Sequence, residues 1–298
     1  FLSKQLQAPF LVSSMTGGSE LATTINVNLA KAAEHKGWAV ALGSTRALLE
    51  SSLHKESFLI RKQAPNVPLI ANLGAVQLNY GYGVEACRQI VEQTEADSLV
   101  LHLNSLQEVV QDEGDLNFKE LLPKIEKVCK SLEVPVGVKE VGFGIEGTVA
   151  KKLYEAGISY IDVAGAGGTS WSQVEKLRTE DPLRKLAAEA FNNWGIPTKD
   201  CIVSVKSEVP KVPVVASGGM KTGVDAAKAI TLGADVIGFA RQLLRAATES
   251  AEAVIRKMEQ IEFELKMTMF GIGAKSLYEL KNTRRVEIMG KSLLDSHN

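Results

Sequence analysis

The residues of this sequence best suited to chemistry fall in short polar or glycine-rich clusters, each at the end of an apolar run. His102 and Asn104 alternate along one such run, so both side chains face the same side. Gln107 and Glu108 follow just beyond. Glu108 is a single carboxylate of the kind that holds Mg²⁺ together with phosphate oxygens and water. No cluster with zinc-ligand spacing is present. Lys139 interrupts an apolar stretch, where a lysine is costly unless it is paired or functional. Either it points out of the fold or pairs with Glu140, or it faces inward and hydrogen-bonds a cofactor ring. Arg46, behind Ser44, suits either bidentate contact with an anion or a solvated helix start. Gly167-Gly168-Thr169 and Gly218-Gly219, with residues 238–240, mark places where a backbone can approach a phosphate and the next helix offers free N–H groups.

Several familiar machines are missing from the sequence. It has no GxSxG elbow, no P-loop and no GxGxxG after a first strand. Cys87, Cys129 and Cys201 lie away from the run ends and form no CxxC pair, as expected of reduced thiols in a cytoplasmic protein. Few carboxylates gather at the run ends, which disfavours a glycosidase pair. The residues amount to an anion cradle with little acid–base power, so a bound cofactor is expected to carry the chemistry.

The elements that must position these residues are legible as an alternation. Apolar runs at 8–15, 38–44, 67–75, 98–104, 134–142, 160–168, 212–220 and 235–241 are separated by helical patterns. Glu20–Lys36, Phe118–Leu132, Gly147–Glu155 and Val224–Leu232 are examples, the last with Thr222 as a possible N-cap and Gly233 as its stop. The runs are near-continuous rather than alternating, as in parallel strands covered on both faces. Eight such units predict a (β/α)8 barrel, with a doubly wound open sheet as the rival. The whole chain, 1–298, reads as one barrel domain with an excursion over the mouth at 169–199 and a helical tail at 242–298 that opens on one long helix, 242–270. In a barrel the active site lies at the C-terminal strand ends, where the polar clusters fall. A count of 34 basic and 35 acidic residues leaves a formal charge of −1. That balance speaks against wholesale nucleic-acid or membrane-surface binding and leaves room for a local cationic pocket for a small anion. No apolar run approaches the roughly 20 residues of a membrane span.

Four segments carry a resemblance. Ser14-Met15-Thr16-Gly17-Gly18, His102-Leu103-Asn104-Ser105-Leu106-Gln107-Glu108, Gly165-Ala166-Gly167-Gly168-Thr169-Ser170-Trp171 and Ala216-Ser217-Gly218-Gly219 together resemble the type 2 isopentenyl diphosphate isomerases, over nearly the whole chain. The resemblance implies an FMN-dependent barrel that interconverts isopentenyl and dimethylallyl diphosphate in isoprenoid biosynthesis. It implies reduced FMN and Mg²⁺, with NAD(P)H to reduce the flavin and no net redox change. Ser14, Met15, Thr16, Ser44 and Asn72 would contact the flavin, and Lys139 would face its N1/C2 edge. Thr169, Gly218, Gly219, Met220, Phe239 and Ala240 would hold the ribityl phosphate. Ala164 stands near the flavin where many members carry Ser. Arg46, His102, Asn104 and Gln107 would hold the substrate, with Gln107 and His102 nearest the proton transfer, and Glu108 would ligate Mg²⁺. The family's basic N-terminal Arg-Lys-x-x-His segment has no counterpart before Ala8, and the chain opens on Phe1, so that segment is expected ahead of it. A cytoplasmic homo-oligomer, tetramer or octamer, is also implied. Three rivals remain. A 2-hydroxy-acid oxidase would need a His or Arg within 165–169, and an inosinate-type dehydrogenase would need a Cys near 169–171; neither is there. The third is a non-catalytic phosphate-binding barrel.

Overall fold

A computed structural model describes residues 1–50, 55–283 and 285. In chain order the elements are β1 (Phe10–Val12), α1 (Glu20–Lys36), β2 (Ala39–Ala41), α2 (Arg46–Glu50), β3 (Leu69–Gly74), α3 (Val84–Thr94), β4 (Ser98–His102), α4 (Ser105–Val110) and α5 (Leu121–Ser131). Then come β5 (Val136–Lys139), α6 (Gly147–Glu155), β6 (Tyr160–Asp162), α7 (Trp171–Arg178), α8 (Pro182–Ala188), α9 (Thr198–Glu208), β7 (Val214–Ala216), α10 (Gly223–Thr231), β8 (Val236–Phe239), α11 (Arg241–Glu249), α12 (Ala251–Ile272) and α13 (Leu277–Lys281). The strands pair in sequence order, all parallel, and β8 closes on β1: an eight-stranded α/β barrel. The open sheet is thereby excluded.

Side-chain alternation divides the strands into two cores. Outward residues join the helices in the larger cluster, for example Phe10, Trp38 and Phe239, whose rings pack edge-on or tilted. Inward residues Leu11, Ala39, Ile70, Val100, Tyr160, Val215 and Val236 fill the lumen. Tyr160 takes the space opposite Gly137, where a Cβ would lie 2.2 Å from its ring. Phe1 closes the floor with its ring edge on Tyr160, centroids 5.3 Å apart. Two residues further along six of the eight strands the inward layer turns polar: Ser13, Asn72, His102, Lys139, Asp162 and Ser217. This polar layer is the floor of the mouth.

Two carboxylates clamp the opposite end. Asp97, before β4, accepts from Leu69 N, Lys4 and Arg61. Asp235, before β8, accepts from Val214 N, Lys206 and Lys281.

The predicted 242–270 helix is two helices. Ser250 leaves helical geometry at φ −169° and its hydroxyl caps Ala253 N at 3.1 Å, which starts α12 at a new angle. Each observed strand is shorter than its apolar run, because the run continues into the bends at the mouth. Within 169–199 the chain forms α7 and α8, which lie on α4: Arg184 donates to Val109 O at 3.0 Å and Thr179 to Asp112. Of the tail at 242–298, residues 284 and 286–298 lie outside the described residues. Among the described residues, no helix is long and apolar enough to cross a membrane.

Candidate functional site

A cavity of about 260 Å³ opens at the C-terminal strand ends. Ser14, Met15, Ser44, Arg46, Asn72, His102, Asn104, Gln107, Glu108 and Lys139 all line it, brought together from five βα units. Thr16, Ala164, Thr169, Gly218, Gly219, Met220, Phe239 and Ala240 do not line it; most of them form the β6–β8 side of the same mouth.

The lining is held by a hydrogen-bond chain. Asn72 Nδ2 donates to Leu42 O at 3.1 Å, which leaves its Oδ1 to accept from His102 Nδ1 at 2.9 Å. His102 therefore carries its proton on Nδ1 and presents Nε2 as an acceptor. Burial, with the Lys139 and Arg46 charges nearby, lowers its pKa to about 3, so the ring is neutral. Asn72 is spent on this support, so what it offers a ligand is a fixed neighbour more than a free amide.

Asn104 Nδ2 donates to Glu108 Oε1 at 2.6 Å, and Asp115 N donates to Glu108 Oε2 at 2.8 Å. Asn104 Oδ1 is buried and has no partner. Gln107 Nε2 donates to Glu175 Oε1 on α7 at 3.0 Å. Arg46 is paired with Asp115 at 3.1 Å and with Glu50 at 3.4 Å, with its side chain still partly open to solvent. Gln77 also donates to Asp115, at 2.8 Å.

Lys139 faces inward. Its ammonium donates to Glu140 O at 2.6 Å. The Glu140 carboxylate has turned away onto the backbone N–H groups of Val141, Gly142 and Phe143 at 2.6, 2.8 and 2.5 Å, so of the alternatives the side-chain pair with Lys139 does not form.

The expectation of few carboxylates at the mouth is overturned. Glu113 and Asp115 line the cavity beside Glu108, and Glu175 stands behind Gln107. The loop after α4 folds back on Glu108 and brings in Glu113 and Asp115, while Glu175 comes from α7. The lining cations, Arg46 and Lys139, face three lining carboxylates, so the cavity is not cationic on its own. Asp162, unmarked in the sequence reading, sits in the polar layer, and its one signal was a carboxylate two residues after Tyr160 in an apolar run.

The β6–β8 side is a backbone cradle. Gly218 has φ +93°, and a Cβ there would lie 2.1 Å from Gly165 O. Only glycine allows these two loops to touch. The α11 N-terminus, after Ala240, has no side-chain cap, leaving its first N–H groups for an anion. Phe239 offers only backbone here, since its ring is wholly within the outer core. Ala164 adopts φ +36°, a left-handed strain held by Asp162, whose Oδ1 accepts from Ala164 N at 3.2 Å.

The residues fit a flavin mononucleotide. Ser14 lines the cavity, its hydroxyl is buried without a partner, and the glycine cradle suits a phosphate. They also fit a hard divalent cation: Glu108 and the orphaned Asn104 Oδ1 are both oxygen donors, although no group of three or more His, Cys, Asp or Glu gathers as a metal site among the described residues.

Comparison with known proteins agrees on the flavin. Residues 76–287 match the FMN-dependent dehydrogenase family. An isopentenyl-diphosphate delta-isomerase of Oceanobacillus iheyensis is 77% identical over 295 residues, 99% of this chain and 84% of that protein. The chain belongs to the isopentenyl-diphosphate delta-isomerase family. A second member, from a Nostoc species, is 48% identical over 283 residues, 95% of this chain and 81% of its own. Among solved structures, a flavocytochrome b2 variant aligns with TM-score 0.68 at 18% identity, over 99% of this chain and 75% of that one. A mandelate oxidase aligns with TM-score 0.65 at 16% identity, over 94% and 80%. These last two share the barrel with the isomerase family.

Proposed function

We propose that this chain interconverts isopentenyl and dimethylallyl diphosphate, using reduced FMN and Mg²⁺, with NAD(P)H as the source of electrons for the flavin. The observation that carries the reading is the 77% identity to an isopentenyl-diphosphate delta-isomerase over a span that includes every strand end. The charge balance of the cavity supports the metal. Three carboxylates against two cations would repel a diphosphate, and a divalent cation on Glu108 reverses that sign.

Moving the double bond needs a proton added at one carbon and another removed at an allylic carbon. An allylic C–H is very weakly acidic, so a route through positive charge on the tertiary carbon is favoured. Reduced FMN supplies, when bound, proton transfer and an electron-rich face to that charge. Lys139, from the polar layer, would serve the N1/C2 edge of the ring. The cradle of Gly218 and Gly219, with Thr169, Met220 and the backbone of Phe239 and Ala240, holds the ribityl phosphate. Gln107 is a poor base, and its link to Glu175 fixes the orientation of its amide at the mouth, suited to positioning the substrate. Arg46 leaves Asp115 to grip the diphosphate. His102 enters neutral; the incoming negative charge raises its proton affinity and converts it to a donor. Asn104 Oδ1 faces the metal or its water. Activity is proposed in the cytoplasm, as a homo-oligomer.

The test is direct. Protein loaded with FMN, reduced anaerobically by NADPH and supplied with Mg²⁺, should equilibrate the two diphosphates. Unchanged isopentenyl diphosphate would refute the reading. A colourless protein without affinity for FMN would favour the phosphate-binding barrel.

A further inference from the structure

Lys139 stands in the lumen of the barrel, 8% exposed, where an ammonium needs a counter-charge nearby. The charged and titratable groups around it are His102 on β4, Glu140 just past the end of β5, Asp162 on β6, and Arg46 at the start of α2. His102 is neutral, and Arg46 has the wrong sign. Glu140 lies where the chain leaves the strand, and its carboxylate is bound by the backbone N–H groups of the loop 141–144. Asp162 remains. It is the Cα partner of Lys139 across β5 and β6, faces the same lumen, and is 4% exposed.

The same carboxylate is tied to the cradle. Asp162 Oδ1 accepts from Ser217 Oγ at 2.6 Å and from Ala164 N at 3.2 Å. Ser217 precedes Gly218, and Ala164 precedes Gly165, so one oxygen ties the ends of β6 and β7 where the two glycine loops begin. Gly165 N then donates to Ser217 O at 3.1 Å, and Thr198 donates to both Ser217 O and Gly218 O.

We propose that Asp162 is a positioning residue: it is the counter-charge that keeps the Lys139 ammonium in the mouth, and it locks the two loops that form the anion cradle. Burial drives the lysine toward neutrality, and Asp162 is the largest influence holding it charged, ahead of Glu140. Burial likewise favours the neutral acid at Asp162, opposed by the lysine and by the Ser217 and Ala164 hydrogen bonds. The pair is therefore mutually dependent. The link to a flavin rests on the proposed function; the pair itself does not.

Asp162→Asn separates charge from shape, since an amide oxygen can still accept from Ser217 and Ala164 N. Apoprotein with ¹³C at the lysine ε-carbons is titrated by NMR, and Lys139→Met identifies the Lys139 signal. The titration midpoint of Lys139 should fall by at least about one pH unit in Asp162→Asn, a tenfold loss of proton affinity. Asp162→Glu should restore most of it. An unchanged midpoint in a folded Asp162→Asn protein would overturn the proposal, without bearing on the isomerase reading. In FMN-loaded protein, the midpoint potential of Asp162→Asn should acquire a pH break at the lowered lysine midpoint. A potential with the same pH dependence as the parent would place Lys139 away from the flavin and so count against the reading of the site, while leaving the pair intact. Asp162→Ala should lower FMN affinity further than Asp162→Asn does, because it also frees Ser217 and Ala164. Equal affinity in the two variants would rule out the locking role.

Discussion

Replacing His102 with Asn should flatten the acid side of the stability curve. In the folded chain the ring is neutral down to pH about 3, against an ordinary value of 6.5 in the unfolded chain. The folded value is depressed, so the stabilisation is present above the unfolded pKa and is lost as pH falls below it. At about pH 5 the unfolded chain has gained a proton that the folded chain refuses. The interval is about 1.5 pH units at ~1.36 kcal/mol each, or about 2 kcal/mol of lost stability. Asp97 and Asp235 titrate below that window, since both are held under the ordinary carboxylate value: burial alone would raise them, but hydrogen bonds from lysine, arginine and backbone N–H prevail. Urea unfolding of the apoprotein at about pH 7.5 and about pH 5 isolates the His102 contribution. His102→Asn should be less stable at neutral pH, having lost the bond to Asn72. It should nevertheless lose about 2 kcal/mol less than the parent on acidification. Parallel losses in the two proteins would refute the neutral, Nδ1-protonated ring and with it the role of Asn72.

The remaining predictions concern metal, cradle and clamp. Glu108→Gln should weaken Mg²⁺-dependent binding of isopentenyl diphosphate at least about tenfold, ~1.4 kcal/mol, with FMN uptake largely intact by fluorescence titration. Chelating the metal with EDTA should abolish that binding in the parent, because the cavity alone repels the diphosphate; substrate affinity that survives EDTA contradicts the charge argument. Gly218→Ala places a methyl 2.1 Å from Gly165 O at φ +93°, so FMN affinity should drop by about ten- to a hundredfold, the equivalent of the usual 1–3 kcal/mol for a forced backbone shift. Asp235→Asn removes the shared partner of Lys206 and Lys281 and should cost about 1–2 kcal/mol at neutral pH. That difference from the parent should shrink as pH falls through about 4, the unfolded carboxylate value, and a constant difference would show that charge is not the cause.

Much of the barrel and part of the site can be read from the chain alone, for a physical reason. A strand covered on both faces must be apolar throughout, and a polar or glycine residue is tolerated only where the strand leaves the core. Those rules expose eight units, and they mark His102, Lys139, Gly218 and Gly219 as the places where the pattern breaks. Helix ends with local signals are equally legible: α1 stops at Lys36 before Gly37 in the left-handed region, and Thr222 caps α10. Local signals also have blind spots. Ser250 caps α12 in the midst of an uninterrupted helical pattern, and the break is seen only in the packed chain.

Tertiary structure alone decided the electrical state of the site. A histidine in a sequence has no ionisation of its own; burial and the nearby Lys139 and Arg46 charges set it neutral, and Asn72, thirty residues away, fixes which ring nitrogen carries the proton. Adjacent Glu140 is one partner the sequence offers Lys139, but the strand ends there and the Glu140 carboxylate goes to the loop N–H groups, while the closed barrel sets Asp162 beside Lys139 on the next strand. Glu113, Asp115 and Glu175 lie in segments without periodicity, so no pattern could place them at the mouth; only the folding of those segments onto α4 did so. A formal charge of −1 over the chain likewise says nothing about the cavity, because electrostatic energy depends on distance and burial, and only the folded chain defines either.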